Sequence, residues 1–160
     1  MQQLLNHIVI IILLTIVSVT PALPRMLCKA RVDCPVNFNG DTLYVTQVRG
    51  KGLWGPIWGF ISFKTDMNTI FGAYFDHKGE TPGLGAEIDT KKFQNQFKEK
   101  KIFDESGKFT SVKTIKGGAK PGDIHGVDAI SGGTITSNGV TDMLRDCLLD
   151  YQNFFNKNRK

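Results

Sequence analysis

The sequence predicts an α+β fold, an antiparallel sheet with packed helices, preceded by one N-terminal transmembrane helix. Three observations carry this reading. The runs "TLYVTQV", "PIWGFISF" and "TIFGAYFDH" are rich in β-branched and aromatic residues and are separated by Gly-, Asp- and Asn-containing turns. Toward the C-terminus, apolar residues recur at helical spacing, and the N-terminus is an almost wholly apolar run. Neither a βαβ alternation nor an internal repeat is present.

The apolar run is Leu4 to Leu23, "LLNHIVIIILLTIVSVTPAL", and about twenty helical residues are what a bilayer core requires. No Lys or Arg precedes it, and no small-residue cleavage site or lipobox follows, so a retained anchor is favoured over a signal peptide. Pro21 and Pro24 end it. The expected organisation is an anchor over residues 1–24, a linker over 25–41 and one folded domain over 42–160. Arg25, Lys29 and Arg31 just after the anchor favour a cytoplasmic location for the side that carries them.

Within the folded part, the three strand-like runs read as a meander. "DTKKFQNQFKEKKIF" is polar with Phe93 and Phe97 one turn apart, which predicts a short surface helix capped by Asp89 or Thr90. "KFTSVKTIK" is a further strand candidate, and the flexible "GGAKPGD" follows. Val140, Met143, Leu144, Cys147, Leu148, Tyr151, Phe154 and Phe155 then line one face of a long helix, which must bury that face against the sheet.

Composition narrows the function. Of 160 residues 41% are hydrophobic and 22% charged, ordinary globular usage. The net charge of +5 is dispersed apart from "TKKFQNQFKEKK" and the terminal "KNRK", so no compact basic face with interleaved aromatics argues for nucleic acid. Cys28, Cys34 and Cys147 have no zinc-ligand spacing. Cys28 and Cys34 can close a short loop in an oxidising compartment, and Cys147 falls on the apolar helix face as a small core residue. His77 and His125 read as surface or loop residues rather than catalytic groups.

The stretch "DAISGGTITSNGV", Asp128 to Val140, sets Ser131, Thr134, Thr136 and Ser137 around Gly132-Gly133 just ahead of the long helix. Thr136, Ser137 or Asn138 can serve as N-cap, with Asp142 in the first turn beside the helix dipole. Unpaired N–H groups at such a terminus attract an anion, and glycines let the backbone come close to it. Ordinary turn chemistry explains the same residues, because there is no Walker lysine and no GxGxxG after a strand. Side-chain chemistry alone does not choose among the hydroxyls.

Two further glycine-rich stretches accompany this loop: "GKGLWGPIWGF", Gly50 to Phe60, and "FDHKGETPGLGAEI", Phe75 to Ile88. Together the three resemble the NqrC family, the C subunit of the sodium-translocating NADH:quinone reductase, and more distantly the G subunit of the related Rnf complex, over about Pro35 to Phe155. In that family Asp-x-x-Ser-Gly-Ala-Thr carries FMN through a phosphoester to the final Thr, attached by a separate flavin transferase. The resemblance implies that Asp128, Ser131, Gly132 and Thr134 fill the pattern, with Gly133 in place of the commoner Ala and Thr134 as acceptor. It further implies that Trp54, Glu80, Thr81, Leu84 and Gly85 lie by the flavin, and that domain 42–160 is an FMN-binding domain.

The function so implied is an electron-carrying subunit of a membrane complex that oxidises NADH, reduces quinone and exports sodium. No residue is expected to be catalytic in its own right, and no metal is expected. The expected partners are the other subunits, the transferase and the membrane. The expected location is the bacterial inner membrane, single-pass, with the flavin domain on the outer, periplasmic side despite the basic residues after the anchor. Family members place a longer segment before "GLWG" than Pro24 to Val48 supplies, so a shortened front to the domain is expected. The alternatives are a stand-alone membrane-tethered flavoprotein serving an extracytoplasmic reductase, and a non-enzymatic flavin- or phosphate-binding module.

Overall fold

A computed structural model describes residues 32–38 and 41–159, with side chains from residue 42 onward. A four-stranded antiparallel sheet runs β1 (Val32–Phe38), β2 (Asp41–Lys51), β3 (Pro56–Phe63) and β4 (Ile70–His77), in that order. The meander expected from the sequence is therefore present, with one addition. The stretch expected as a linker contains β1, which pairs with β2 from Val32↔Thr46 to Phe38↔Asp41 through an irregularity between Asp33 and Pro35. Backbone pairing extends the sheet there, although Pro and Asp make its sequence a poor strand former.

Register decides what faces the core. On β2 and β3, Thr46 lies opposite Ile61, Val48 opposite Gly59, and Gly50 opposite Ile57. Ile57, Gly59, Ile61 and Phe63 alternate inward along β3, as a strand with one buried face requires. After β4 comes a 3-10 turn (Gly85–Asp89), then helix α1 (Lys91–Gln94) and a second 3-10 turn (Asn95–Phe97). Of the two expected caps it is Thr90 that acts, its Oγ1 accepting the Phe93 N–H at 3.3 Å. Phe93 and Phe97 pack on Phe75 with ring centroids at 6.0 and 5.0 Å, within the range where aromatic pairs attract.

The "KFTSVKTIK" strand shrinks to β5 (Lys113–Ile115), which pairs in parallel with β6 (Gly126–Asp128). The long helix is α2 (Thr134–Asp150), broken at Tyr151 (φ −86°, ψ −2°) and continued as α3 (Gln152–Asn158). Its expected apolar face is buried at Val140, Met143, Leu144, Cys147, Leu148, Tyr151 and Phe155. Phe155 meets Phe63 at 5.1 Å, joining the helix end to the sheet. Cys147 is disulfide-bonded, which replaces the expectation of a simple core thiol. The anchor expected over 1–24 lies outside the described residues, and among the described residues no helix is long and apolar enough to cross a membrane.

Helix α2 lies over β2 at very short range. A Cβ at Gly50 would come within 2.7 Å of the Met143 Cβ, and one at Gly139 would collide with the Lys51 carbonyl oxygen. Intrinsic propensity alone would make Gly139→Ala stabilising by about 1 kcal/mol. Close packing reverses the sign. We expect Gly139→Ala to lower stability by about 1–3 kcal/mol, because overpacking against a backbone carbonyl is not relieved by a rotamer change; urea unfolding monitored by circular dichroism reads the difference.

Candidate functional site

The N-terminus of α2 faces the turn between β2 and β3 and the segment after β4. Thr134 is the first helical residue and Gly133 the N-cap, with no side-chain hydrogen bond to the cap. The expected caps are thereby corrected. Thr136 and Ser137 sit inside the first turn, 1% and 0% exposed, with their hydroxyls engaged elsewhere. Ser137 Oγ accepts the Ile130 N–H at 3.0 Å, and the Thr136 hydroxyl donates to Glu80 Oε2. Asp142 lies two turns in and pairs with Arg145 at 2.8 Å.

Glu80 organises the surroundings. Only 5% exposed, it also accepts the backbone N–H groups of Trp54 at 2.9 Å and Leu53 at 3.3 Å. Burial pushes its carboxyl up, but the bonds from Thr136, Trp54, Leu53 and Gly55 outweigh that and hold it below the ordinary carboxylate range. The group is an anion satisfied by donors from two other segments. Glycine is required on both sides of it: a Cβ at Gly52 would lie 2.6 Å from Oε1, and one at Gly85 would lie 2.6 Å from Oε2. His77, expected to be non-catalytic, accepts the Glu80 N–H through Nδ1 at 3.1 Å. His125 lies 2.7 Å from the Lys101 carbonyl through its own Nδ1.

A cleft of about 220 Å³ opens between these pieces, lined by Glu80, Thr81, Leu84, Gly85 and the run Gly132 to Thr136, with Leu53 on the opposite side. Most of the residues predicted from sequence are thus brought together. Trp54 stands at the lip, 68% exposed, its indole N–H donating to Thr81 Oγ1 at 3.2 Å. Asp128 and Ser131 do not line the cleft. Leu53, Ile135 and Thr136 do, and the sequence reading missed them. The exposed apolar residues of "GLWG" and of the first helical turn were the available signal.

The four hydroxyls of the loop now separate. Thr136 and Ser137 are buried and bonded; Ser131 and Thr134 are exposed and make no hydrogen bond among the described residues. Of the exposed pair, Thr134 lines the cleft. Gly132 adopts φ +74°, where a side chain is strained, and a Cβ there would lie 2.5 Å from Leu84 Cδ2. The glycine pair therefore keeps the mouth of the cleft open beside Thr134.

A backbone-lined cleft at an uncapped helix terminus is the class of site that holds a phosphorylated ligand. The FMN-binding domain model matches residues 52–149, and the chain belongs to that family. The C subunit of the Na(+)-translocating NADH-quinone reductase of Vibrio vulnificus is 46% identical over 104 residues, which are 64% of this chain and 40% of that protein. Its Chlamydia muridarum counterpart is 40% identical over 122 residues, 68% of this chain and 38% of that one. The chain thus spans about two fifths of the length of these relatives. The crystal structure of the same reductase component from Parabacteroides distasonis superposes with TM-score 0.69 at 53% identity, over 74% of this chain and 59% of that one. Shewanella oneidensis NqrC gives 0.66 at 40% identity, over 74% and 56%.

The Glu80 clamp has a pH signature. A carboxylate held below its unfolded value contributes stability that is complete above the unfolded value and is lost as pH falls through the folded one. We expect Glu80→Gln to be less stable at neutral pH by about 1–3 kcal/mol, since an amide cannot accept from every donor now satisfied. The gap from wild type should narrow as pH drops below the ordinary carboxylate range. Urea midpoints across an acid series check both, and a gap that stays constant with pH would contradict the clamp.

Proposed function

We propose that this chain is the electron-carrying subunit of a membrane Na+-translocating NADH:quinone oxidoreductase, with FMN held by a phosphoester to Thr134. The observation that carries this is the placement of Thr134: an exposed hydroxyl without a partner among the described residues, at an uncapped helix N-terminus, on the wall of a glycine-lined cleft. The fit to FMN is chemical as well as positional. Unpaired first-turn N–H groups suit a phosphate. The exposed Leu53, Leu84 and Ile135 offer apolar surface for a flat ring, and Trp54 stands beside them.

In the proposed ester the Thr134 oxygen bonds the FMN phosphorus, and the hydroxyl proton leaves with the remainder of the transferase's flavin donor. Bound FMN supplies the redox chemistry. The protein's own contribution is positioning: Glu80 fixes the 52–55 turn against the helix, and Leu53, Leu84 and Trp54 shield the cleft from water. No general base is required, and neither NADH nor quinone need bind this chain. The other subunits and the transferase are the proposed partners. Membrane attachment with the flavin domain on the outer side agrees with the disulfide at Cys147, a bond that persists in oxidising compartments.

Co-expression with a flavin transferase, followed by denaturing-gel fluorescence and intact mass, tests this directly. We expect a covalent FMN adduct on the wild-type chain and none on Thr134→Val; an adduct that survives the substitution would exclude Thr134 as acceptor. Gly132→Val should lower labelling while the fold persists, because it narrows the approach and forces a β-branched residue to positive φ at a cost of about 1–3 kcal/mol.

A further inference from the structure

The acceptor motif begins at Asp128, yet the Asp128 side chain is not at the acceptor. Its Oδ1 accepts the Ala119 N–H at 2.8 Å, and a Cβ at Gly118 would lie 3.4 Å from the same oxygen. The backbone N–H of Asp128 donates to Gln96 Oε1 at 2.8 Å, so the residue is held from the opposite direction as well. Next to it, Ile115 O accepts from both Gly118 and Ala129, at 3.1 and 3.0 Å. The loop leaving β5 is thus folded back onto the last residue of β6.

That loop, residues 116–122, is itself unusual. Gly117, Gly118 and Gly122 adopt φ of +85°, +99° and +82°, and a Cβ at Gly117 or Gly122 would meet nothing within 4 Å. The glycines serve backbone shape there rather than close packing. Lys116, Lys120 and Pro121 are exposed on it. An exposed glycine-rich loop has many conformations, and the Asp128 carboxylate selects one.

We propose that Asp128 is a positioning residue: it sets the Lys116–Gly122 loop as part of the surface that the flavin transferase reads, together with Ser131 to Thr134. The proposal rests on Thr134 being the flavin acceptor. Asp128 then acts through an accepted hydrogen bond, and its negative charge is not what the transferase recognises. The loop supplies two lysines and a shaped backbone beside the acceptor; the motif supplies the hydroxyl.

Acceptor geometry and charge are separable. Asparagine retains an oxygen that accepts the Ala119 N–H, alanine retains neither oxygen nor charge, and Ala119→Pro removes the donor while leaving the carboxylate. With co-expressed transferase and intact-mass readout, Asp128→Asn should label within about threefold of wild type, whereas Asp128→Ala and Ala119→Pro should each fall about tenfold or more, the scale of one lost hydrogen bond. Amide exchange at residue 119, read by NMR on unlabelled protein, should be as slow in Asp128→Asn as in wild type and faster in Asp128→Ala. Thermal midpoints should stay near wild type, since Asp128 is exposed. Poor labelling of Asp128→Asn with the residue 119 amide still protected would overturn the proposal, showing that the charge is read directly. Normal labelling of Ala119→Pro would overturn it too. Labelling of Thr134→Val, or none of the wild type, would instead remove the acceptor reading on which it rests, while the amide exchange still reports the loop clamp.

Discussion

A carboxylate taken out of water must be given donors, and at Glu80 the donors come from stretches far apart in the chain. Leu53 and Trp54 supply backbone N–H groups from the turn after β2, and Thr136 supplies a hydroxyl from the first turn of α2. Leaving any of these polar groups buried without the others would cost more than the pairing returns. The three glycine-rich stretches are therefore parts of one device. Its tightness explains the glycines: Gly52 and Gly85 lie where a Cβ would run into the carboxylate, and at Gly85 also into the Thr136 hydroxyl. A second contact fixes the same joint from below, the approach of Gly139 to the Lys51 carbonyl, so the helix terminus cannot drift along β2.

Those parts of the fold whose signals are local were legible in the sequence. β3 was bounded correctly because its alternation is strict, and its burial alternates likewise. The apolar face of α2 and α3 was read residue by residue because helical spacing is independent of what it packs against. Phe93 and Phe97, one turn apart, announced the small cluster on Phe75. What depends on partners across the chain was not legible. The β5–β6 pair consists of three-residue strands whose parallel register comes from their neighbours rather than from propensity. β1 contains a proline and takes its place from β2.

The start of α2 shows the same limit more sharply. Thr136 and Ser137 have the side chains preferred at an N-cap, and local chemistry could not tell that use from another. Long-range partners decide it: Glu80 takes one hydroxyl and the Ile130 N–H takes the other, so the helix begins earlier with a glycine at its cap. The cleft residues Leu53 and Ile135 escaped notice for a related reason. An exposed aliphatic side chain is ordinary on any surface and acquires meaning only when the fold sets several around one opening.

An acceptor for a covalently attached cofactor has to satisfy two opposed requirements: it must be reachable by an enzyme that carries a large donor, and it must be held still. The loop meets these with different atoms. Thr136 and Ser137 are internal fasteners and are unreachable; Thr134, in the same first turn of the helix, is exposed while its backbone is carried by a packed 17-residue helix. Gly132 at positive φ turns the chain so that the nearest side chain over that bend is the tip of Leu84. Rigidity thus comes from the buried hydroxyls and access from the glycines. A run of hydroxyl residues that looks redundant in the sequence is divided by burial into supports and a single open position on the cleft.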